Sequence, residues 1–251
     1  MRLKDKVAIV TGGSQGIGEA IAHRYAAEGA KVAIMNRNVA KAETVVKNIK
    51  DKGGDAAAFG CDLAKSSDIK SACQAVRDHY GDPDILVNNA GAYFLTPLGE
   101  TEESAIDSML DVNIKALFLL CQELLPGFEK KGAGKIINTG SIFGNTGFPG
   151  SAIYCATKGG VDLLTKTLGL ELRDKNIQVN SIAPGWIETP INEDYRATNE
   201  EFMRRASERF GGGDPWMKPD ELTGAAVFLA SADADSMTGT TVFVDKGWAA
   251  Y

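Results

Sequence analysis

The sequence predicts an α/β protein: a doubly wound parallel sheet of about seven strands, with helices on both faces, in three layers. Three observations predict it. Short β-branched runs alternate with longer stretches of helical periodicity along the whole chain. Several of those runs are apolar on successive residues, as in Val7-Ala8-Ile9-Val10, which suits strands buried on both faces. The 251 residues, 44% apolar and 24% charged, suffice for one large core. Strand-helix-strand repetition implies right-handed crossovers, and in such sheets ligands sit beyond the carboxyl ends of the strands, where strand order reverses.

The elements follow in order. The first strand, Val7 to Val10, runs through Thr11-Gly12-Gly13-Ser14-Gln15-Gly16-Ile17-Gly18 into a helix from Ile17 to Glu28, with Ile17, Ala20, Ile21 and Tyr25 recurring at three and four. The second, Val32 to Met35, ends on Asn36-Arg37 before a helix from Val39 to Lys52. The third, Ala56 to Phe59, leads past Cys61-Asp62-Leu63 to a helix from Ser66 to Tyr80. The fourth, Ile85 to Asn88, continues as Asn89-Ala90-Gly91 toward one long helical stretch from Glu103 to Lys130. The fifth, Lys135 to Asn138, ends on Thr139-Gly140-Ser141 and precedes a helix from Ala152 to Asp174. The sixth, Gln178 to Ile182, ends near Pro184-Gly185-Trp186; a helix from Asp220 to Ala230 and a last strand, Thr241 to Val244, complete the sheet.

One segment, 187–218, breaks the pattern: it is charged and carries Gly211-Gly212-Gly213 before Asp214-Pro215-Trp216. An insertion at the carboxyl side of a strand reads as a lid or substrate loop hinged at the triple glycine, with a solvated helical excursion as the other reading. The interleaved Arg204, Arg205 and Arg209 with Glu200, Glu201 and Glu208 read as a solvated face. No linker or repeat divides the chain, so residues 1–251 are expected to form a single domain.

Composition excludes several classes. The net charge is −6, and basic runs are no longer than Lys130-Lys131 or Arg204-Arg205, which argues against nucleic-acid or anionic-membrane partners. The four cysteines, Cys61, Cys73, Cys121 and Cys155, form no C-x-x-C pair, and the two histidines, His23 and His79, lie far apart, so neither a metal site nor a disulfide framework is expected. No signal peptide precedes the first strand, and no window holds the roughly 18 apolar residues of a membrane span; a reducing cytoplasm is the expected setting. The 28 glycines follow no G-X-Y period and must serve turns and close approaches.

The chemistry collects at the strand ends. A glycine-rich turn between a strand and a helix lets backbone N–H groups and the helix's positive end meet a pyrophosphate, although G-x-x-x-G-x-G is not the strict dinucleotide fingerprint. At the end of the second strand a carboxylate would take a ribose 2′-hydroxyl; Asn36 and Arg37 stand there instead, and a guanidinium suits a 2′-phosphate, so NADP is expected over NAD. In Tyr154-Cys155-Ala156-Thr157-Lys158 the spacing of four puts phenol and ammonium on one helix face. An adjacent cation favours phenolate and draws a tyrosine down from its usual value of about 10, making Tyr154 a usable acid or base near neutrality. Ser141 sits on the ligand side of the sheet, able to hydrogen-bond a carbonyl or hydroxyl.

Taken together, Thr11-Gly12-x-x-x-Gly16-Ile17-Gly18, Asn88-Asn89-Ala90-Gly91, Asn113, Ser141, Tyr154-x-x-x-Lys158 and Pro184-Gly185 resemble the short-chain dehydrogenase/reductase family in its single-domain form, from Lys6 to about Gly247. The resemblance implies a Rossmann-type fold and four catalytic residues: Tyr154 as acid/base, Lys158 lowering its pKa and binding the nicotinamide ribose, Ser141 orienting the reacting oxygen, and Asn113 holding a water that links the lysine to solvent. It also implies a cofactor site of Gly12, Ser14, Gln15, Gly16, Ile17 and Gly18 with Asn36 and Arg37; Asp62 and Leu63 beside the adenine; Asn88, Asn89, Ala90 and Gly91 beside the adenosine ribose; and Pro184, Gly185, Ile187 and Thr189 near the nicotinamide amide. A homotetramer or homodimer is implied as well. Two positions depart from the family pattern: Lys246 follows Asp245 where glycine is usual, and Gly140 stands where many relatives have a second serine.

The expected function is an NAD(P)(H)-dependent oxidoreductase interconverting a secondary alcohol and a ketone on a small-molecule substrate, with no metal. Trp186, Phe148, Tyr93, Trp216 and Met217 are the candidates for lining an apolar pocket. A 3-oxoacyl-thioester (acyl-carrier-protein) reductase is the alternative, against which the net charge argues mildly. A non-catalytic cofactor-binding regulatory protein is the third reading, disfavoured by the intact Asn113, Ser141, Tyr154 and Lys158.

Overall fold

Residues 1–210 and 213–250 are described by a computed structural model. Seven strands, β1 (Val7–Thr11), β2 (Lys31–Asn36), β3 (Asp55–Gly60), β4 (Ile85–Asn88), β5 (Gly134–Thr139), β6 (Ile177–Pro184) and β7 (Thr241–Val244), form one sheet in the order β3-β2-β1-β4-β5-β6-β7, and every pairing is parallel. The chain runs outward from β1 to β3 and then returns past β1 to β4, so strand order reverses between β1 and β4. The helices that follow these two strands leave on opposite sides, and a crevice opens above their carboxyl ends.

The continuous apolar runs are explained by burial on both faces: all residues of β1, β4 and β6 are buried. Ala8, Val10, Val32 and Ile34 point into one core, with Ile21 and Tyr25 of α1 (Gly16–Ala27), Val45 and Ile49 of α2 (Val39–Asp51), and Leu229 of a helix near the C-terminus. Their chain neighbours Ile9, Ala33 and Met35 point into the other, with Cys73 and Val76 of α3 (Ser66–Tyr80) and with Leu117, Phe128, Val161 and Leu172 from later helices. This is the period-two alternation of a strand serving two layers.

The stretch expected as one helix is interrupted. It consists of α4 (Glu103–Leu110), a π-helical turn at Asp111–Lys115, and α5 (Ala116–Lys131). The wider turn accommodates an extra residue without ending the helix, and the buried Asn113 lies in it. Helix α6 (Ala152–Leu172) closes through a 3-10 turn onto Asn176 in the left-handed region (φ 56°), which aims the chain into β6.

Among its described residues, segment 187–218 carries two short helices, α7 (Glu193–Thr198) and α8 (Glu200–Glu208). It leaves and returns at one place: Glu188 N donates to Met217 O (3.0 Å) and Met217 N to Trp186 O (2.8 Å). Gly211 and Gly212 of the expected hinge lie outside the described residues. The final helix, α9 (Thr223–Ala230), is shorter than expected because Pro219–Leu222 form a 3-10 turn before it. Among the described residues, no helix is long and apolar enough to cross a membrane.

Helices α1 and α9 are joined by Tyr25, which is fully buried and donates its hydroxyl to Ala226 O at 2.9 Å. Y25F removes that bond and is expected to lower stability by about 1 kcal/mol, read as a lower urea midpoint with an unchanged slope.

Candidate active site

The crevice is a cleft of about 740 Å³ lined from both sides of the β1/β4 reversal. Its floor is made where two loops are tied together. Thr11 Oγ1 accepts the N–H groups of Asn89 and Ala90 (3.0 Å each) and donates to Val87 O (3.2 Å), while Asn89 Nδ2 donates to Thr11 O (3.0 Å). Gly12 and Gly16 adopt the left-handed region (φ 65° and 58°). A Cβ on Gly12 would stand 3.0 Å from Ala90 Cα, and one on Gly16 3.2 Å from Thr189 Cγ2. Bare backbone therefore forms the cradle. Helix α1 starts at Gly16, and the Gln15 side chain does not cap it, so its first N–H groups and the positive end of its dipole are available to an anion.

Gly18 has a different part. It is absent from the cleft wall, and a Cβ there would come within 2.4 Å of Gly12 O and 2.5 Å of Asn89 Nδ2. It lets α1 pack directly on the glycine turn.

Around the cleft stand Gly12, Ser14, Gln15, Gly16 and Ile17; Asn36 and Arg37; Asp62 and Leu63; Asn89, Ala90 and Gly91; and Pro184, Gly185, Ile187 and Thr189. Lys41 joins them and was not singled out from the sequence. Asn36 Nδ2 donates to Asn38 O (2.9 Å), and Asn38 caps α2 by accepting Lys41 N (3.1 Å), which brings Lys41 to the same edge as Arg37. The signal was present: an Asn N-cap followed by a basic residue one turn beyond Arg37.

At the far end, Ser141, Tyr154 and Lys158 meet. Ser141 leaves β5 with extended backbone, and its hydroxyl accepts Phe143 N (3.1 Å). Tyr154 and Lys158 share one face of α6. The ammonium lies 5.6 Å from the phenol ring centre and donates to Thr139 O at 2.7 Å. Burial pushes the Tyr154 phenol up to about 12, against the downward pull of the Ser141 hydroxyl, and burial lowers Lys158 to about 8. The expectation of a phenol drawn down by its neighbouring cation is corrected. The shared face is as predicted, but the ammonium turns to a backbone carbonyl of β5, and burial is the largest cause acting on the phenol.

Asn113 stands behind this corner. Its Oδ1 accepts Ala92 N (2.8 Å), and its Nδ2 donates to Ala92 O (3.0 Å) and Thr157 Oγ1 (3.1 Å). The side chain thus braces the loop after β4 against α6. With Asn88, Thr139 and Lys158 it lines a small separate chamber rather than the main cleft.

Of the expected pocket residues, Tyr93 lines the cleft, its ring edge-on to Tyr154 at 4.8 Å and its hydroxyl 3.1 Å from Ser151 Oγ. Phe148, Trp186, Trp216 and Met217 do not reach the cleft. The first three pack instead with Phe143, Phe202 and Trp248 in an aromatic cluster behind it. Tyr195 of α7 accepts Leu95 N (3.1 Å), fastening the insertion to the loop after β4. Arg204 and Arg205 pair with Glu201 as a solvated face. Arg209 departs from that reading: it lies 4.2 Å over the Trp248 ring and donates to Trp248 O (3.1 Å). Lys246, in the left-handed region (φ 54°), donates to Trp216 O (2.7 Å) and so ties the C-terminal segment to the insertion.

The family model for the short chain dehydrogenases matches residues 6–200. The chain belongs to the short-chain dehydrogenase family. It is 39% identical to 3beta-hydroxysteroid dehydrogenase 1 of Eggerthella lenta over 99% of this chain and 95% of that one. Among solved structures, a gluconate 5-dehydrogenase of Burkholderia cenocepacia in complex with NADP and tartrate superposes with a TM-score of 0.93 at 36% identity, covering 100% of this chain and 97% of that one. A 3-ketoacyl-(acyl-carrier-protein) reductase of Brucella melitensis complexed with NADH gives 0.88 at 36% identity, covering 98% and 99%. This short-chain dehydrogenase is a nicotinamide-dependent oxidoreductase acting on CH–OH groups, interconverting a secondary alcohol and a ketone.

Because Gly18 seats α1 on the glycine turn, G18A is expected to displace Gly12 and Asn89. The dehydrogenase should lose at least about tenfold in nicotinamide-cofactor affinity while keeping its far-UV circular dichroism, as measured by fluorescence titration.

Proposed function

We propose that the dehydrogenase reduces a neutral ketone with NADPH, with Tyr154 as the proton donor. The observation that carries this reading is the meeting of the Tyr154 phenol and the Ser141 hydroxyl at the end of the cleft, with the Lys158 ammonium behind them. The cradle at Gly12 and Gly16, which any side chain would fill, and the uncapped start of α1 suit a dinucleotide's pyrophosphate. Ser14, Gln15 and Ile17 complete that cradle. Asp62 and Leu63 flank the adenine, and Asn89, Ala90 and Gly91 the adenosine ribose. Pro184, Gly185, Ile187 and Thr189 receive the nicotinamide amide, and Tyr154 and Lys158 its ribose. Arg37 and Lys41, both on the cleft wall where a carboxylate would select the unphosphorylated ribose, favour NADP over NAD.

Nicotinamide bound along this cleft supplies hydride to the carbonyl carbon. Ser141 donates to the carbonyl oxygen and holds it beside Tyr154 Oη, which passes its proton to that oxygen as the alcohol forms. A phenol raised to about 12 keeps that proton through neutral pH, which suits reduction. The Lys158 ammonium offsets the charge left on the phenolate, and Asn113 keeps α6 in register with the loop after β4. Around the reacting end the wall is Tyr93, Phe94, Pro190 and Ile191, which favours a substrate with an apolar body. The acyl-carrier alternative would need a basic docking surface, and the arginines of α8 are engaged by Glu201.

The same reading includes a homotetramer or homodimer: α6 exposes Leu163 (66%) and Leu170 (64%), and the adjoining helices expose Leu110 and Phe118. It also includes a cytoplasmic setting, consistent with free Cys61, Cys73, Cys121 and Cys155.

Three experiments test it. R37A and K41A should each weaken NADPH binding by about tenfold, the loss of one charge-assisted contact, and leave NADH little changed; equal losses for both cofactors would remove the NADP preference. Y154F should lower turnover at least about a hundredfold across a panel of ketones. In the wild-type enzyme kcat/KM for reduction should fall as pH rises through about 8, where Lys158 loses its charge; a flat profile would remove Lys158 from the proton-transfer step.

A further inference from the structure

Tyr154 can hand on its proton only while its phenol stays aimed into the cleft, and helix α6 alone does not fix that aim, since a tyrosine on a helix has more than one rotamer. The Lys158 ammonium does not fix it either, because it is engaged by Thr139 O. What lies against the ring is Tyr93, from the loop after β4. The two rings meet edge-on, 4.8 Å apart between centres and 77° between planes, a favoured geometry for an aromatic pair. Phe143 of the serine turn meets the same ring at 6.3 Å and 86°.

Tyr93 is itself held on three sides. Its chain neighbour Ala92 is bonded through both N–H and carbonyl to the Asn113 side chain, at 2.8 and 3.0 Å. Its hydroxyl lies 3.1 Å from Oγ of Ser151, which has no exposed surface and stands at the start of α6, the helix that carries Tyr154. Its ring is backed by Tyr195 of α7, 5.5 Å away at 79°, and the Tyr195 hydroxyl is fixed in turn by accepting Leu95 N at 3.1 Å. Three phenols thus form a row from α6, across the loop after β4, to the insertion. Packing alone would be met by a leucine or a phenylalanine at 93. A hydroxyl sent to a buried serine on the helix of Tyr154 instead locks the ring in register with that helix. Tyr93 is not a second acid: its hydroxyl is engaged with Ser151, and burial pushes its phenol up.

We infer that Tyr93 is a positioning residue for the reaction: its ring, anchored to the start of α6 and backed by Tyr195 of the insertion, holds the Tyr154 phenol in the orientation that delivers its proton. The inference rests on the proposed role of Tyr154, and it is read both with and without turnover. In protein carrying 13C-labelled tyrosine rings, the Tyr154 signal, assigned by its loss in Y154F, reports how fast that ring turns over. It should turn slowly in the wild type and at least about tenfold faster in Y93L, which removes the edge contact, while Y93F keeps the ring and the slow motion.

In turnover, Y93L should lower kcat for ketone reduction about tenfold and leave KM for NADPH and for the ketone within about twofold, because a misplaced reacting group weakens the transition state and not the ground-state complex. Y93F should recover kcat to within about threefold of wild type. Should Y93L not fold, Y93M, which is longer and more pliant, takes its place. An unchanged Tyr154 ring in the folded variant overturns the inference. So does a raised ketone KM at unchanged kcat, which would make Tyr93 a wall for substrate only, and so does a freed ring with unaltered kinetics where Y154F is inactive. A freed ring together with an active Y154F enzyme upholds the hold of Tyr93 on Tyr154 and overturns Tyr154 as the proton donor.

Discussion

The cleft depends on the place where β1 and β4 lie side by side. There the Thr11 hydroxyl takes the N–H groups of Asn89 and Ala90, and the Asn89 amide answers to Thr11 O, so two loops from strands far apart in sequence form one floor. Gly18 lets α1 sit on that floor, and Gly12 leaves it bare. Without this lacing, the glycine turn would be an ordinary strand-to-helix connection. The reversal of strand order would open a crevice of no defined shape.

The chemistry at the other end is set by exclusion of water. Burial keeps the Tyr154 phenol protonated, which suits the proposed ketone reduction, and weakens the hold of Lys158 on its proton, which limits that reaction as pH rises. The Lys158 ammonium bonds a backbone carbonyl of β5, Thr139 O. The aromatic cluster of Phe143, Phe148, Trp186, Phe202, Trp216 and Trp248 closes the back of this corner. Arg209 donates to Trp248 O and Lys246 to Trp216 O, so the insertion after β6 is fastened to the C-terminal segment at two points.

Much of this was legible in the chain. The seven strands described appear where β-branched and apolar runs stand between turn residues; β1, β4 and β6 read most plainly, because a strand buried on both faces leaves a run with few polar breaks. The placement of Tyr154 and Lys158 on one face follows from helical spacing. The π-turn was not legible, since Asp111–Lys115 reads as uninterrupted helix and the widening is recovered only through the side-chain bonds of Asn113 to Ala92 and Thr157. Nor was the position of Phe148, Trp186 and Trp216 behind the cleft, because hydrophobicity says that a residue is buried and not against what.

The amino-acid sequence by itself determined the class of fold, the order of its elements and the residues gathered at the strand ends, because these rest on local periodicity and on turn chemistry. Tertiary structure decided what each residue does there. It turned Lys158 toward Thr139, sent Gly18 to packing and Lys41 to the cleft, and set Tyr93 edge-on to Tyr154. The physical reason is that pKa values, close approaches and ring contacts depend on distances between elements remote in sequence, and only the packed sheet brings those elements together.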